Sequence, residues 1–531
     1  MRRKEPDRGV SDLNILYVGS SSACLEVENS CPYYAPETYD VLLNGEVIST
    51  GNTTNVFSVY NLSPDTDYEV EMRFSGGDAK PVWLHTASES CCVSVKEFGA
   101  VGDGVHEDTS AIQAAINMLP AGGRLLFPAG TYLTLPVQLR SHITLELSEG
   151  AKLLASTDRE RFPIIPGFAT DVLTGREIPF ASFEGLEQAS YQSIIHGEYV
   201  EDVNLIGSGT VDGNAQNGDW WKDFKSFPAK RPQLLFLNRC NRITVHGVQF
   251  CNSPAWNLHP YYSKHISFYD CSVTAPKVSP NTDACDPESC DSVNIIGCKF
   301  SVGDDCIAIK SGKIETCRKY RSPANRHVIR NCLMAYGHGA VTLGSEAACG
   351  VTNLSVTQCL FQKTDRGLRI KSRRGRGKDS VINNVRFDNI RMESVLTPIV
   401  INQFYNCCDP DSHSEYVWSR EKLPVDDRTP RFGSFRFTNM ECIGAEVAAC
   451  YIDGLPEVPI EKITMENISI GFSAEAQPGV PSMKEFAQPQ CRMGLYMDNV
   501  KHIRLHNVTL DGVEGEKLIA QHYETIDSDL K

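Results

Sequence analysis

The sequence predicts an all-β protein in which a small β-sandwich precedes a right-handed parallel β-helix, a solenoid of stacked coils. Three observations carry this expectation. Short alternating apolar runs with turn signals fill residues 13–86, a stepped repeat recurs from residue 243, and cysteines return at one slot of that repeat.

Residues 1–12 open with Met-Arg-Arg-Lys-Glu-Pro-Asp-Arg and are expected to be extended or disordered. The charged start mimics an export signal, yet Gly-Val-Ser-Asp follows where an apolar segment would stand. Residues 13–88 read as strands: NILYV, ACLEVE, YDVLLNGEVI, NVFSVYNL, DYEVEMRF and VWLHT. Within them, Asn61-Leu-Ser-Pro-Asp-Thr-Asp-Tyr68 fits the tyrosine corner of sandwich domains. The unit resembles a fibronectin type III module.

The remainder, 89–531, reads as the solenoid. Its entry, Phe98-Gly-Ala-Val-Gly-Asp-Gly104, makes turns, and the next segment reads as a helix capped by Asp108 or Thr109. Ala111, Ile112, Ala115 and Ile116 give that helix one apolar face, suited to closing the open end of a solenoid. The glycines match neither a phosphate loop nor a dinucleotide fingerprint. This opening resembles that of pectin-lyase-like β-helix enzymes.

The repeat has the form apolar-x-apolar-x-Asn/Gly/Asp, as in ITVHGVQF (243–250), ISFYDCSV (266–273), VNIIGCKF (293–300), LSVTQCLF (354–361) and ITMENISI (463–470). Each unit is too short for a β-α-β repeat, and a parallel β-helix remains. Cys271, Cys298, Cys332 and Cys359 share one slot at spacings of 27, 34 and 27 residues. They are expected to stack inside, about 4.8 Å apart, as small hydrophobes. No Cys-x-x-Cys pair occurs, and neither a metal nor a cofactor is expected.

A net charge of -15 disfavours nucleic acid and anionic membrane as partners, and no apolar run is long enough to span a bilayer. Twenty cysteines without a visible export signal lead to the expectation of reduced thiols in a cytoplasmic protein.

Four clusters fall on successive coils: Asn281-Thr-Asp283, Gly303-Asp304-Asp305, Gly337-His338-Gly339 and Arg369-Ile-Lys371. Steps of 21, 33 and 31 residues place them on one face. Glycoside hydrolysis needs one protonated carboxyl and one ionised partner, and crowding three aspartates supplies both states. Seven basic residues between Arg366 and Lys378 stand out in so acidic a chain. Arg369 and Lys371 read as an anion site, and Arg373 to Lys378 as a solvated loop.

Taken in order, the four clusters resemble the signature motifs of glycoside hydrolase family 28, the polygalacturonases, from about Val93 to the C-terminal region. The resemblance implies an inverting hydrolase of α-1,4-galacturonosyl bonds with a pectic oligo- or polysaccharide as substrate and no metal. Asp304 would be the general acid and Asp283 and Asp305 the water-activating pair. His338 would support the acid, and Arg369 and Lys371 would bind a galacturonate carboxylate. Inversion calls for a gap of about 6.5 to 9.5 Å between acid and base.

Ala284–Cys290, Ser253–His259 and the N-terminal sandwich resemble the bacterial exo-acting branch. Insertions near 157–190, 406–430 and 472–491 are expected to wall off one end of the groove. Asn281, Trp256, His259 and Tyr405 are expected to line the sugar site. The rival readings are a rhamnogalacturonan or xylogalacturonan hydrolase, a calcium-dependent lyase, and a non-catalytic carbohydrate-binding solenoid.

Overall fold

The computed structural model describes residues 12–530 apart from positions 76, 79, 173, 408 and 409. The expectation for residues 1–12 therefore lies, save for Asp12, outside the described residues.

Each coil of the solenoid turns at the Asn/Gly/Asp slot of the repeat. Gly247, Asp270, Gly297, Asn331, Gln358 and Asn389 all hold left-handed backbone, with φ from 51° to 77°. Short polar side chains and glycine tolerate that conformation, which is why the slot repeats. On the strands before the turn, Val245, Phe268, Ile295, Ile329, Val356 and Phe387 pair in register as one interior column. Each is at most 2% exposed, and burial of such side chains contributes about 1.5–3 kcal/mol apiece.

The cysteine slot lies just past the turn. Cys271, Cys298 and Cys332 are at most 1% exposed, and their thiols lie 3.3 to 3.5 Å from carbonyls one coil back. The ladder sits in the core as expected, because sulfur fills an interior corner where a polar group would need a partner.

A further parallel face carries the site. Its strands Leu235–Asn238 and Leu258–Tyr261 continue through a bridge at Cys285 to Ile307–Ile309. Leu333–Gly344, Thr364–Lys371 and Thr397–Asn402 then follow in parallel register.

The helix Thr109–Met118 closes the N-terminal end, burying Ile112, Ala115 and Ile116. Asp108 differs from the expectation. Its carboxylate accepts the backbone N–H groups of Val101 and Gly102, at 2.6 and 3.0 Å, and thereby ties the glycine turn rather than the helix.

The N-terminal strands form two antiparallel sheets over one core that includes Leu25, Val41, Val59, Val70 and Met72. Tyr68 Oη accepts the Ser63 N–H at 2.9 Å, the predicted corner contact. This unit docks on the left-handed corners of the solenoid. Glu26 takes a bidentate pair from Arg330 and a 2.7 Å hydrogen bond from Asn331, and Asn55 donates to Asn331. A β-carbon on Gly297 would meet Val56 at 2.6 Å, so the docked sheet reads that corner as glycine.

Candidate active site

The four clusters converge. Asp283 ends a loop locked by Arg231, a buried guanidinium that donates to Asn281 Oδ1 at 2.7 Å and to the carbonyls of Pro254 and Pro280. The Ala284 N–H donates to the Asp305 carbonyl at 3.0 Å, which sets Asp283 and Asp305 abreast on adjacent coils. One oxygen each of Asp283, Asp304 and Asp305 lies within 4.8 Å of the others.

The glycines of the third cluster have a steric role. A β-carbon on Gly337 would stand 2.7 Å from the Asp304 carbonyl, the same oxygen that accepts the His338 N–H at 2.9 Å. Beside Gly339, Arg369 Nη1 and Lys371 Nζ each donate to one Asp305 oxygen at 2.9 Å. His338 Nδ1 pairs with Asp365 Oδ2 at 2.7 Å.

These surroundings separate the carboxyls electrostatically. Burial drives Asp283 well above the usual carboxylate range, and the Asp286 and Asp304 charges push it further. Burial acts on Asp305 in the same direction, but Lys371 and Arg369 outweigh it and hold Asp305 well below that range. The Asp365 hydrogen bond raises His338.

The trio opens into a cavity of about 480 Å³. All three insertions reach its wall, through Glu184, Cys407 and the Pro481–Met483 loop. Arg366 donates to the carbonyls of Pro481 and Val480, and Asn402 to that of Met483, which clamps the last insertion against the groove.

Residues 173–484, more than half of the chain and all four clusters, match the model of glycosyl hydrolases family 28. The chain belongs to glycoside hydrolase family 28. Residues 92–146 of this family 28 chain also match a model described as rhamnogalacturonase A/epimerase, pectate lyase-like. It is 32% identical over 399 residues to a probable polygalacturonase of Vitis vinifera, covering 72% of this chain and 75% of the relative. A hyperthermoactive exopolygalacturonase structure from Thermotoga maritima is 25% identical, with 79% of this chain and 92% of that one covered and a TM-score of 0.65. The fold of a Yersinia enterocolitica family 28 exopolygalacturonase matches over 99% of both chains at 18% identity, with a TM-score of 0.71.

The family 28 site departs from the sequence expectations at two points. His259 is fully buried and does not reach the cavity. The insertion strand Ser182–Phe183 covers it: Phe183 stacks on Trp256 at 5.2 Å, and Ser182 and His259 both contact Glu288. Trp256 and Tyr405 do line the cavity, although both are largely buried, as does Asn281.

Arg373, Arg374 and Arg376 are also buried rather than solvated. Arg374 grips Glu457 through two hydrogen bonds of 2.6 and 2.9 Å and donates to three carbonyls of the 406–430 insertion.

Sequence reasoning missed Asp365, Asp286, Lys310 and Glu346. A signal existed for Asp365: it lies 27 residues after His338, the same step that separates Cys332 from Cys359.

Three carboxylates this close also have the spacing of a cation site. Both Asp305 oxygens are already engaged by Arg369 and Lys371, which leaves a divalent ion two ligands and two competing cations.

Proposed function

We propose that this glycosidase hydrolyses α-1,4-galacturonosyl bonds of the galacturonan backbone with inversion, releasing product from the non-reducing end. The observation that carries the reading is the aspartate trio, divided by its neighbours into unlike charge states, at the floor of a cavity reached by three insertions. Three insertions that line the cavity would favour a chain end over the middle of a polymer, which supports exo-action.

Asp304 is the most accessible of the three and is the proposed acid toward the glycosidic oxygen. Asp283 and Asp305 are the proposed pair that orients water. Two hydrogen bonds of about 2.8 Å meeting at one water span about 4.6 Å, which fits the observed oxygen spacing. His338, held by Asp365, is proposed to support the acid. Arg369 and Lys371 keep Asp305 ionised and offer cationic edges to a substrate carboxylate, in the direction that suits an anionic sugar.

Two antiparallel N-terminal sheets, of three and five strands, over one core support a fibronectin type III-like assignment for residues 13–88. The free thiols of Cys271, Cys298, Cys332 and Cys359 support a cytoplasmic location.

Digestion of polygalacturonate and short oligogalacturonates, resolved by chromatography, tests the reading. Stepwise release of one short product from the chain end is expected. A mixed ladder would overturn exo-action, and cleavage only of rhamnose- or xylose-bearing pectin would overturn the substrate. Ultraviolet-absorbing unsaturated ends, or loss of activity with a chelator, would establish a lyase instead.

A further inference from the structure

Beside the aspartates, in the wall of the same cavity, lies a group of largely buried charges that the proposed chemistry does not use: Lys310 and Glu346 line the cavity, and Asp286 is buried next to them. Lys310 projects from the strand Ile307–Ile309 side of the coil that also carries Asp304 and Asp305, and it is 4% exposed. Its ammonium lies 3.6 Å from Asp286 Oδ2 and 3.3 Å from Glu346 Oε2, and 4.9 Å from the centre of the Trp256 ring. Asp286 is fully buried three residues beyond Asp283, and neither of its oxygens has a hydrogen-bond partner. Glu346 is fixed on its other oxygen by Ser345, which in turn accepts from Arg376.

The charged groups facing Asp283 are Asp286, Asp304, Asp305, Lys310 and Arg231. Those facing Lys310 are Asp286, Glu346, Asp283, Asp305 and Glu184, with the His259 ring nearby. Carboxylates within 4.8 Å of one another repel when all are ionised, so the cluster favours keeping one proton. Burial favours placing it on Asp283, the wrong carboxyl for a water-activating base. A cation beside Asp283 and Asp286 opposes this, and Lys310 occupies that position.

We propose that Lys310 is a positioning residue that decides which carboxyl carries the shared proton. From the cavity wall it stabilises negative charge on Asp283 and Asp286 and leaves the proton to Asp304. The inference rests on the proposed roles of the three aspartates. Asp286 couples the ammonium to Asp283, and Glu346 with Arg376 holds the ammonium in place.

The test is the pH dependence of kcat/KM on oligogalacturonate for the wild type and three variants. Removing the cation in Lys310→Met moves the proton to Asp283, so the acid limb rises by about one pH unit or more, and kcat falls by about tenfold or more with KM little changed. Asp286→Asn removes a negative neighbour and moves the acid limb down. Asp286→Asn combined with Lys310→Met brings the limb back toward the wild-type position. A purely structural Lys310 would lower the melting temperature and leave the acid limb in place, which would overturn the proposal. Should Lys310→Met not fold, Asp286→Asn alone decides: an unmoved or raised acid limb overturns it. Absence of hydrolysis by the wild type would instead remove the functional reading beneath.

Discussion

Gly339 stands against Asp305: a β-carbon at position 339 would lie 2.7 Å from Asp305 Oδ1 and 3.3 Å from Arg369 Cδ. The absent side chain is what lets the arginine reach across one coil to the carboxylate. The Thr342 hydroxyl, 2.3 Å from the same point, closes the remaining space.

Gly339→Ala is therefore expected to displace Asp305 and Arg369 while the coil itself persists. Turnover should fall by about 10- to 100-fold, since a misplacement of about 1 Å costs that much. Steady-state kinetics beside a circular dichroism spectrum checks this. Unaltered kcat would show that the contact is not needed.

Asp304→Asn should retain fold and sugar binding and lose turnover by about three orders of magnitude or more, because the amide has no proton to give. Binding measured by calorimetry separates this from unfolding. Undiminished hydrolysis would remove Asp304 from the acid role.

Asp365→Asn should lower the pKa of His338, which the carboxylate now raises. A raised folded value means that the pair stabilises the fold most below the free histidine value of about 6.5, and that this support is lost as pH rises through the folded value. The variant is expected to move the alkaline limb of the activity profile to lower pH and to erase that part of the pH dependence of melting. An alkaline limb that stays put would show that His338 acts without its partner.

Arg374→Ala leaves Glu457 as an unpaired buried charge and frees three carbonyls of the 406–430 insertion. A loss of about 3–5 kcal/mol is expected. Denaturant unfolding measures it. A change under about 1 kcal/mol would mean that the insertion is held elsewhere.

Periodicity made much of this legible. The Asn/Gly/Asp slot is a backbone requirement at every coil, so it appears in the sequence wherever the chain turns. The same register carried the four clusters to one place, and it would have carried Asp365 beside His338 had the 27-residue step from Cys332 to Cys359 been applied to His338 as well. His259 and the basic run were misread for the opposite reason. Neither burial follows from the repeat: one is imposed by the insertion strand at Ser182–Phe183 and the other by Glu457, 83 residues beyond Arg374.

The sequence by itself determined the solenoid, the cysteine ladder and the convergence of Asp283, Asp304, Asp305, His338, Arg369 and Lys371, because in-register stacking turns spacing along the chain into neighbourhood in space. Only the tertiary structure decided which carboxyl is pushed up and which held down, how the insertions meet around the cavity, and that Lys310 stands beside Asp286 in its wall. Those depend on burial and on contacts between segments of unrelated spacing, and the strength of a charge is set by the dielectric around it rather than by its place in the chain.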